Sequence, residues 1–434
     1  MESVQRKICG LVLGGGIFIG LLVGLLVAFE PVPAGADVQP GDVITTKNVD
    51  KAKDLLSPAM EWCVRRGWPL RIVAPKPVHW PKAFKEATEK YGSQVRLAED
   101  GLSLKNYVAG LPFPQVDPND PRVALKIMWN YEYKFLTTDD VDLRNFDADT
   151  GSISMTSAMN VERHFLLDHF RRMFYVGRLY VDPKPDYSPN PNKFRGQQGL
   201  YPILEPFDLK GVGSVGNRYV DPAKQDDQWL YLPSLRRVRR LSTAQRSDAL
   251  FGQDTDVDSY YGYMGHTAWM TWKFLGEKEL LSAMHGEHFP VKWADPPADW
   301  AFDDVWEKRT VYVVEGISKL PQYAYSKRML FIDKEAWTIP YSDIYDQAGE
   351  LWKIWINNYS FRTSAPTQGA IKYEDEMGFI PAIVMVDIQL EHATKASLPS
   401  HRYAGEQGWY FNQGEKEGVE PDWFNVAALV EAGS

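Results

Sequence analysis

Apolar and polar residues recur along this chain with two different periods, and the change from one to the other divides it. From Asp37 to about residue 115 the period is helical. Val49, Ala52, Leu55 and Leu56 share one face, after which Ser57 and Pro58 supply an N-cap and a first-turn proline. That next helix carries Met60, Cys63 and Val64 and stops at Gly67. A third helix is predicted from Pro81 to Gly92, with Phe84, Ala87 and Tyr91 on one face. Asp120 and Pro121 repeat the cap-and-proline signal ahead of Val123, Ala124, Ile127 and Met128.

After about Gly151 the reading changes to strands separated by turn clusters. Phe174–Val181 and Trp229–Leu241 are the first candidates, with a loop rich in proline and asparagine at Asp182–Arg195 between them. Met329–Ile332, Trp337–Ile344 and Leu351–Tyr359, divided by turn residues at Asp333–Glu335 and Asp346–Gly349, predict an antiparallel meander. From Ala382 to Leu390 the even positions are all apolar while the odd ones turn polar along the strand, so one face is expected to meet a core or cavity. A short closing helix is expected from Pro421 through Trp423, Ala427 and Val430. The expected fold class is therefore mainly β (α+β), with an N-terminal helical region at 37–115 and a β-sheet domain at 116–434.

The N-terminus has a separate logic. Arg6 and Lys7 precede an uncharged run of 22 residues, Ile8 to Phe29, which ends before Pro31, Pro33 and the small residues Ala34, Gly35 and Ala36. This predicts an export signal over residues 1–36 with cleavage after Ala36 and a periplasmic mature protein. The run is also long enough to span a bilayer, so an uncleaved inner-membrane anchor is the alternative. Cys9 lies before the apolar run, the wrong side for lipid attachment at a processed cysteine, and Cys63 alone would remain in the mature chain.

Composition narrows the function. A chain of 434 residues with 15 Trp and 22 Tyr can bury a large core and favours pleated, half-buried surfaces. A formal net charge of -9 repels phosphate backbones, which argues against a nucleic-acid partner. No glycine-rich phosphate loop, nucleophile elbow or zincin helix is present, so no cofactor, metal or catalytic residue is expected. His285 and His288 flank Gly286 and Glu287 in a loop and lack a third ligand group; His164 and His169 are five apart and read as packed or surface histidines.

The most distinctive segment is Asp227–Arg240, DQWLYLPSLRRVRR in one-letter form, an apolar strand running into four arginines within five positions. Apolar-then-basic suits an acyl chain with an anionic head group. The plainer reading pairs those arginines with Asp226, Asp227, Asp248, Asp254, Asp256 and Asp258 in an exposed ion network. Pro233 cannot donate to a ladder and so predicts a sheet edge or bulge there.

This segment resembles the signature of a large proteobacterial family of outer-membrane lipoprotein-sorting type, itself similar to the LolA and LolB lipoprotein carriers. The turns at Ile332–Lys334 and Asp346–Gly349 match the strand-turn-strand grammar of those carriers, and the resemblance covers approximately residues 120 to 425. It implies a strongly curved, unclosed antiparallel β-barrel with plugging helices around an apolar cavity. It also implies work alongside an exporter of the resistance-nodulation-division type and outer-membrane components. The chain is about twice the length of the small carriers, so the cargo need not be a lipoprotein.

The leading expectation is a periplasmic carrier of lipid or another hydrophobic small molecule, with no catalysis. Arg236, Arg237, Arg239 and Arg240 are candidates for an anionic head group or acidic partner; Trp229, Tyr231, Leu232, Trp352, Ile354 and Ile356 are candidates for the lining. The rivals are an envelope hydrolase of glycan or lipid and an outer-membrane-associated scaffold.

Overall fold

The computed structural model describes residues 38–137, 139–242, 245–367, 369–400, 402 and 408–433. The predicted export segment lies outside them. Among the described residues no helix is long and apolar enough to cross a membrane.

Four short strands come first: β1 (Val43–Ile44), β2 (Leu70–Ile72), β3 (Arg96–Leu97) and β4 (Leu104–Lys105). The longer ones follow as β5 (Asp140–Ser152), β6 (Asn160–Phe174), β7 (Phe194–Glu205), β8 (Gly213–Tyr219), β9 (Asp227–Leu232) and β10 (Arg237–Arg240). Then come β11 (Met270–Ser282), β12 (Val305–Ser318), β13 (Lys327–Asp333), β14 (Tyr341–Tyr345), β15 (Leu351–Arg362), β16 (Met377–Asp387), β17 (His392–Ser397) and β18 (Trp409–Phe411). Helices α1 (Pro58–Arg65), α2 (Lys82–Tyr91), α3 (Val123–Glu132) and α4 (Val426–Ala432) are few and short.

The strands from β11 to β17 lie side by side in chain order, and β17 then pairs with β5, from His392↔Ser152 to Ser397↔Asp147. From there β5 to β10 continue in order, all antiparallel, while β2 joins the start of β12 in parallel at Val305 and Trp306. Among the described residues β11 and β10 pair with no common neighbour, so the fold is a large, curved, unclosed antiparallel sheet. Register shifts at Phe274/Gly276, Ile344/Tyr345, Asn358/Ser360 and Thr150/Gly151 bend it.

Both faces of the central strands are buried. The outer face of β12 to β17 meets the segment from Val38 to Ile72 in one core, where Trp68 sets its ring edge-on to Trp300 (5.3 Å) and Phe302 (4.9 Å). The inner face carries a larger core to which α2, α3 and the stretch from Tyr261 to Met270 contribute. The turn chemistry is legible: Asp333 Oδ1 accepts from the amides of Glu335 (2.9 Å) and Ala336 (2.7 Å), and Asp346 Oδ1 from those of Ala348 and Glu350 (both 2.9 Å). Ser57 caps α1 by accepting from the Met60 amide at 3.1 Å.

Several boundaries differ from the sequence reading. The long strands start at Asp140, and polar and charged residues interrupt the alternation of β5 and β6, which leaves both outside the sequence reading; β1 and β2 add two short strands from the region read as helical. Phe174–Val181 is no strand; β6 ends at Phe174. Trp229–Leu241 is a hairpin, with Pro233–Leu235 forming its turn and β10 the free edge. Trp337 has φ 55° and lies outside the strand, which begins at Tyr341. In β16 both faces are apolar and buried: Ala382, Val384 and Val386 in the outer core, Ile383 and Met385 in the inner one.

Candidate ligand cavity

Against the inner face lies a cavity of about 410 Å3. Its walls are Leu143 and Phe146 of β5, Phe165, Leu167 and Phe170 of β6, and Leu200 and Ile203 of β7. Leu230 of β9, Trp355 of β15, and Ile380 and Ile383 of β16 complete them. Leu143 and Phe146 can both face inward because Asn145 between them has φ 58°, which breaks the alternation.

The roof comes from the segment between β10 and β11, with Leu250, Phe251, Val257, Tyr260 and Tyr261 over the space. A buried polar network fixes it to the sheet. Arg328 of β13, 0% exposed, donates to Asp256 Oδ1 (3.3 Å), Ser259 Oγ (3.0 Å) and Tyr323 Oη (3.1 Å). Tyr325 donates to Asp256 (2.8 Å), Tyr323 to Asp258 (2.9 Å), and Arg246 Nε to Asp258 (2.7 Å). From α3, Tyr131 Oη donates to the carbonyls of Tyr261 (3.1 Å) and Tyr263 (2.6 Å). A buried pair with all its hydrogen bonds met orders its surroundings more than it adds stability.

The cavity reaches the surface beside the free edge, where exposed Ser242, Gln245, Asp248 and Ala249 form part of its wall. On its other side Gln198, Gly216, Gln228, Arg246 and Val257 are shared with the wall of a neighbouring polar recess of about 50 Å3. Arg172, Arg195 and Arg218 line that recess. Arg195 is ion-paired with Glu132; Asp226 is shared by Arg218 (2.9 Å) and Arg246 (3.3 Å).

The residues predicted for the lining sort by strand face. On β9, Trp229 and Tyr231 point outward to Trp423 and Leu429, while Leu230 lines the cavity and Leu232 packs on the same inner side. On β15, Ile354 and Ile356 lie in the outer core and Trp355 forms the wall. Trp352 is the extra residue of the bulge where Ile344 pairs with Lys353 and Tyr345 with Leu351. It packs against the inner core, and its Nε1 donates to Asp387 Oδ2 at 2.8 Å.

Among the described residues, Arg240 alone of the four arginines pairs with an acid, Asp227. Asp226, Asp256 and Asp258 serve Arg218, Arg246 and Arg328, and Asp254 serves His392. Arg237 stands opposite Leu232 and Arg239 opposite Leu230, so both belong to the cavity-facing side of the free edge, and both are exposed. Arg236 sits at the hairpin turn with φ 46°.

The histidines meet separate carboxylates. His285 Nδ1 lies 2.6 Å from Glu307 and His288 3.7 Å from Asp304, while His169 lies 2.9 Å from Asp142. His164 converges with Asp147 and Asp149, donor atoms within 4.8 Å of one another, but the guanidinium of Arg402 already bonds both carboxylates. Sequence reasoning missed Leu230, Trp355 and the recess arginines; Arg172, Arg195 and Arg218 stand on three successive strands and Arg246 in the roof, and no local motif marks any of them.

A large unclosed antiparallel sheet, roofed by a crossing segment and enclosing an apolar cavity, defines the class of this protein. The chain belongs to the family described as "Protein of unknown function (DUF1329)", whose model matches residues 43–429. Among solved structures it is similar to a domain from Vibrio parahaemolyticus named for outer-membrane lipoprotein sorting. That match has 16% identity and TM-score 0.47 and covers 71% of this chain and 98% of that one. A DUF1329 family protein from Desulfovibrio piger follows (13%, TM-score 0.41, 68% and 92%), as does a LolA superfamily protein from Nitrosomonas europaea (14%, 0.37, 69% and 98%). No curated protein matches the chain.

Proposed function

We propose that this protein is a carrier or binding protein for a lipid or another hydrophobic ligand and performs no covalent step. The observation that carries the reading is the apolar cavity of about 410 Å3 that reaches the surface beside the free edge of the sheet. That volume falls in the ~300–1,000 Å3 range of small-molecule sites. Each methylene moved from water into such a wall stabilises the complex by about 0.8 kcal/mol. Arg237 and Arg239, on the cavity side of that edge, would attract an anionic ligand or acidic partner at the mouth. The predicted export signal and the family resemblance support a periplasmic setting, with the protein relaying between an exporter of resistance-nodulation-division type and the outer membrane.

The test is native mass spectrometry with lipid extraction on protein purified gently from its own envelope. A co-purifying hydrophobic molecule near one per chain is expected, and Leu230→Trp, whose larger side chain intrudes on the cavity, should retain less of it. Protein that is reproducibly empty, or ligand retained unchanged in Leu230→Trp, would refute the reading.

A further inference from the structure

We infer that the recess behind the cavity seats an anionic head group, with Arg172 as its principal ligand, so that the cavity takes amphiphiles ending in a carboxylate or phosphate. The inference rests on the carrier reading and names its ligand class.

Four arginines line the recess, and three have carboxylate partners. Glu132 serves Arg195, Asp226 serves Arg218 and Arg246, and Asp258 serves Arg246. Asp227, also in the wall, is taken by Tyr219 (2.5 Å) and Arg240. Among the described residues no carboxylate pairs with Arg172, whose guanidinium has Phe174 (4.9 Å to the ring centre) and Tyr261 (5.6 Å) beside it. Tyr261 also lines the apolar cavity, so the cation stands where the two spaces meet.

Arg172 is partly buried, with the Tyr261 hydroxyl as a hydrogen-bonding neighbour but no carboxylate, and such a charge is costly; the two cations here meet that cost differently. Lys134, which donates to the Tyr131 carbonyl at 3.0 Å, is pushed well below its usual range by burial and by Arg172, and so can shed its proton. Arginine cannot. An anion arriving in the recess would supply the missing partner through charge-assisted, potentially bidentate hydrogen bonds. Gln198 and Gln228, shared by both spaces, offer amide donors around it. At ~10–15 Å3 per water the recess has room for a few waters or one small anionic group, not for a second chain.

The experiment is calorimetric titration of the delipidated protein with decyl phosphate, decanoate, decanol and inorganic phosphate. Wild type should bind the two anionic amphiphiles about 10-fold or more tightly than decanol, and inorganic phosphate far more weakly than decyl phosphate. Arg172→Gln should lower both anions to the level of decanol while decanol itself is unchanged, which also shows that the variant is folded. Arg172→Lys should keep part of the preference. The double change Arg237→Gln with Arg239→Gln, at the exposed mouth, should lower the preference far less than Arg172→Gln does.

Equal binding of decanol and the anions by wild type would overturn the inference without any variant and leave the carrier reading standing. A preference that survives Arg172→Gln and disappears in the edge double variant would overturn it in favour of the rim. Inorganic phosphate binding as tightly as decyl phosphate would reduce the recess to a simple anion site and overturn the amphiphile assignment. Absence of binding by every alkyl probe would overturn the carrier reading and this inference together.

Discussion

The same strands present two unlike faces. Outward, β15 and β16 press Ile354, Ile356, Val384 and Val386, all 0% exposed, against the segment from Val38 to Ile72 in a sealed layer. Inward, their neighbours Trp355 and Ile383 stand at the wall of a cavity. Both layers are apolar and both are deep. The difference is what covers them: a closely packed aromatic layer outside, and inside a roof held at a distance by buried ion pairs. A cavity persists where polar anchors, rather than apolar packing, set the spacing between sheet and cover.

The comparison is sharpest when one large side chain is removed from each layer. Trp68→Ala would strip the edge-on contacts to Trp300 and Phe302 in the sealed layer and should cost about 3–5 kcal/mol. Leu230→Ala enlarges a space that already exists, and Leu230 is only half-buried, so about 1 kcal/mol is expected. Urea denaturation of ligand-free protein measures both through the midpoint at constant slope. Equal losses would mean that the inner layer is packed as tightly as the outer one.

That contrast also explains what the sequence could disclose. Period-two apolar runs make the β13–β15 meander and its turns legible, since Asp333 and Asp346 carry turn chemistry that needs no tertiary context. The caps at Ser57 and Pro58, and the edge marked by Pro233, are local for the same reason. Alternation states that two faces exist but not which one meets a cavity. The predicted lining on β9 and β15 accordingly includes Trp229, Tyr231, Ile354 and Ile356, whose neighbours Leu230 and Trp355 form the wall. β5 and β6 were hidden because carboxylates and arginines, paired across strands as in Arg171 with Asp142, interrupt their apolar pattern. The recess arginines were hidden because Arg172, Arg195 and Arg218 meet only once β6, β7 and β8 pair in register, and Arg246 joins them only when the roof folds back over the sheet.

The sealed layer contains one buried acid that should make its stability depend on pH. Asp343 of β14 accepts from Ser57 Oγ (2.7 Å) and the Ala59 amide (3.2 Å) at the start of α1, and burial pushes its pKa up to about 7. The folded value lies above the ~3.9 of an unfolded aspartate, so the native state binds the proton more tightly. Its contribution is greatest at low pH and falls as the pH rises from about 4 to about 7. Asp343→Asn keeps an acceptor for Ala59 and removes the proton linkage. Denaturation across this window should show a decline in wild type that is flattened in the variant; an unchanged slope would assign the decline to another group.

The roof of the cavity should carry a smaller dependence of opposite origin. His392 of β17 holds Asp254 of the roof at 2.8 Å, and Thr394 Oγ1 donates to the same carboxylate at 2.8 Å. The hydrogen bond to Asp254 raises the pKa of His392 above its usual value, with nearby Glu162 acting in the same sense. For a raised histidine the stabilisation is fully present below the unfolded value of ~6.5 and is lost as the pH rises through the folded value. The side chain is partly open to solvent, so the effect should stay below about 1 kcal/mol. Hydrogen exchange, corrected for its intrinsic pH dependence, should show the amides of residues 250–256 losing protection as the pH rises past this range in wild type. In His392→Gln the protection should already be low and show no such step. Protection in the sealed layer should follow the same pH course in His392→Gln as in wild type, because the links between roof and sheet, not the sheet itself, are what this titration loosens.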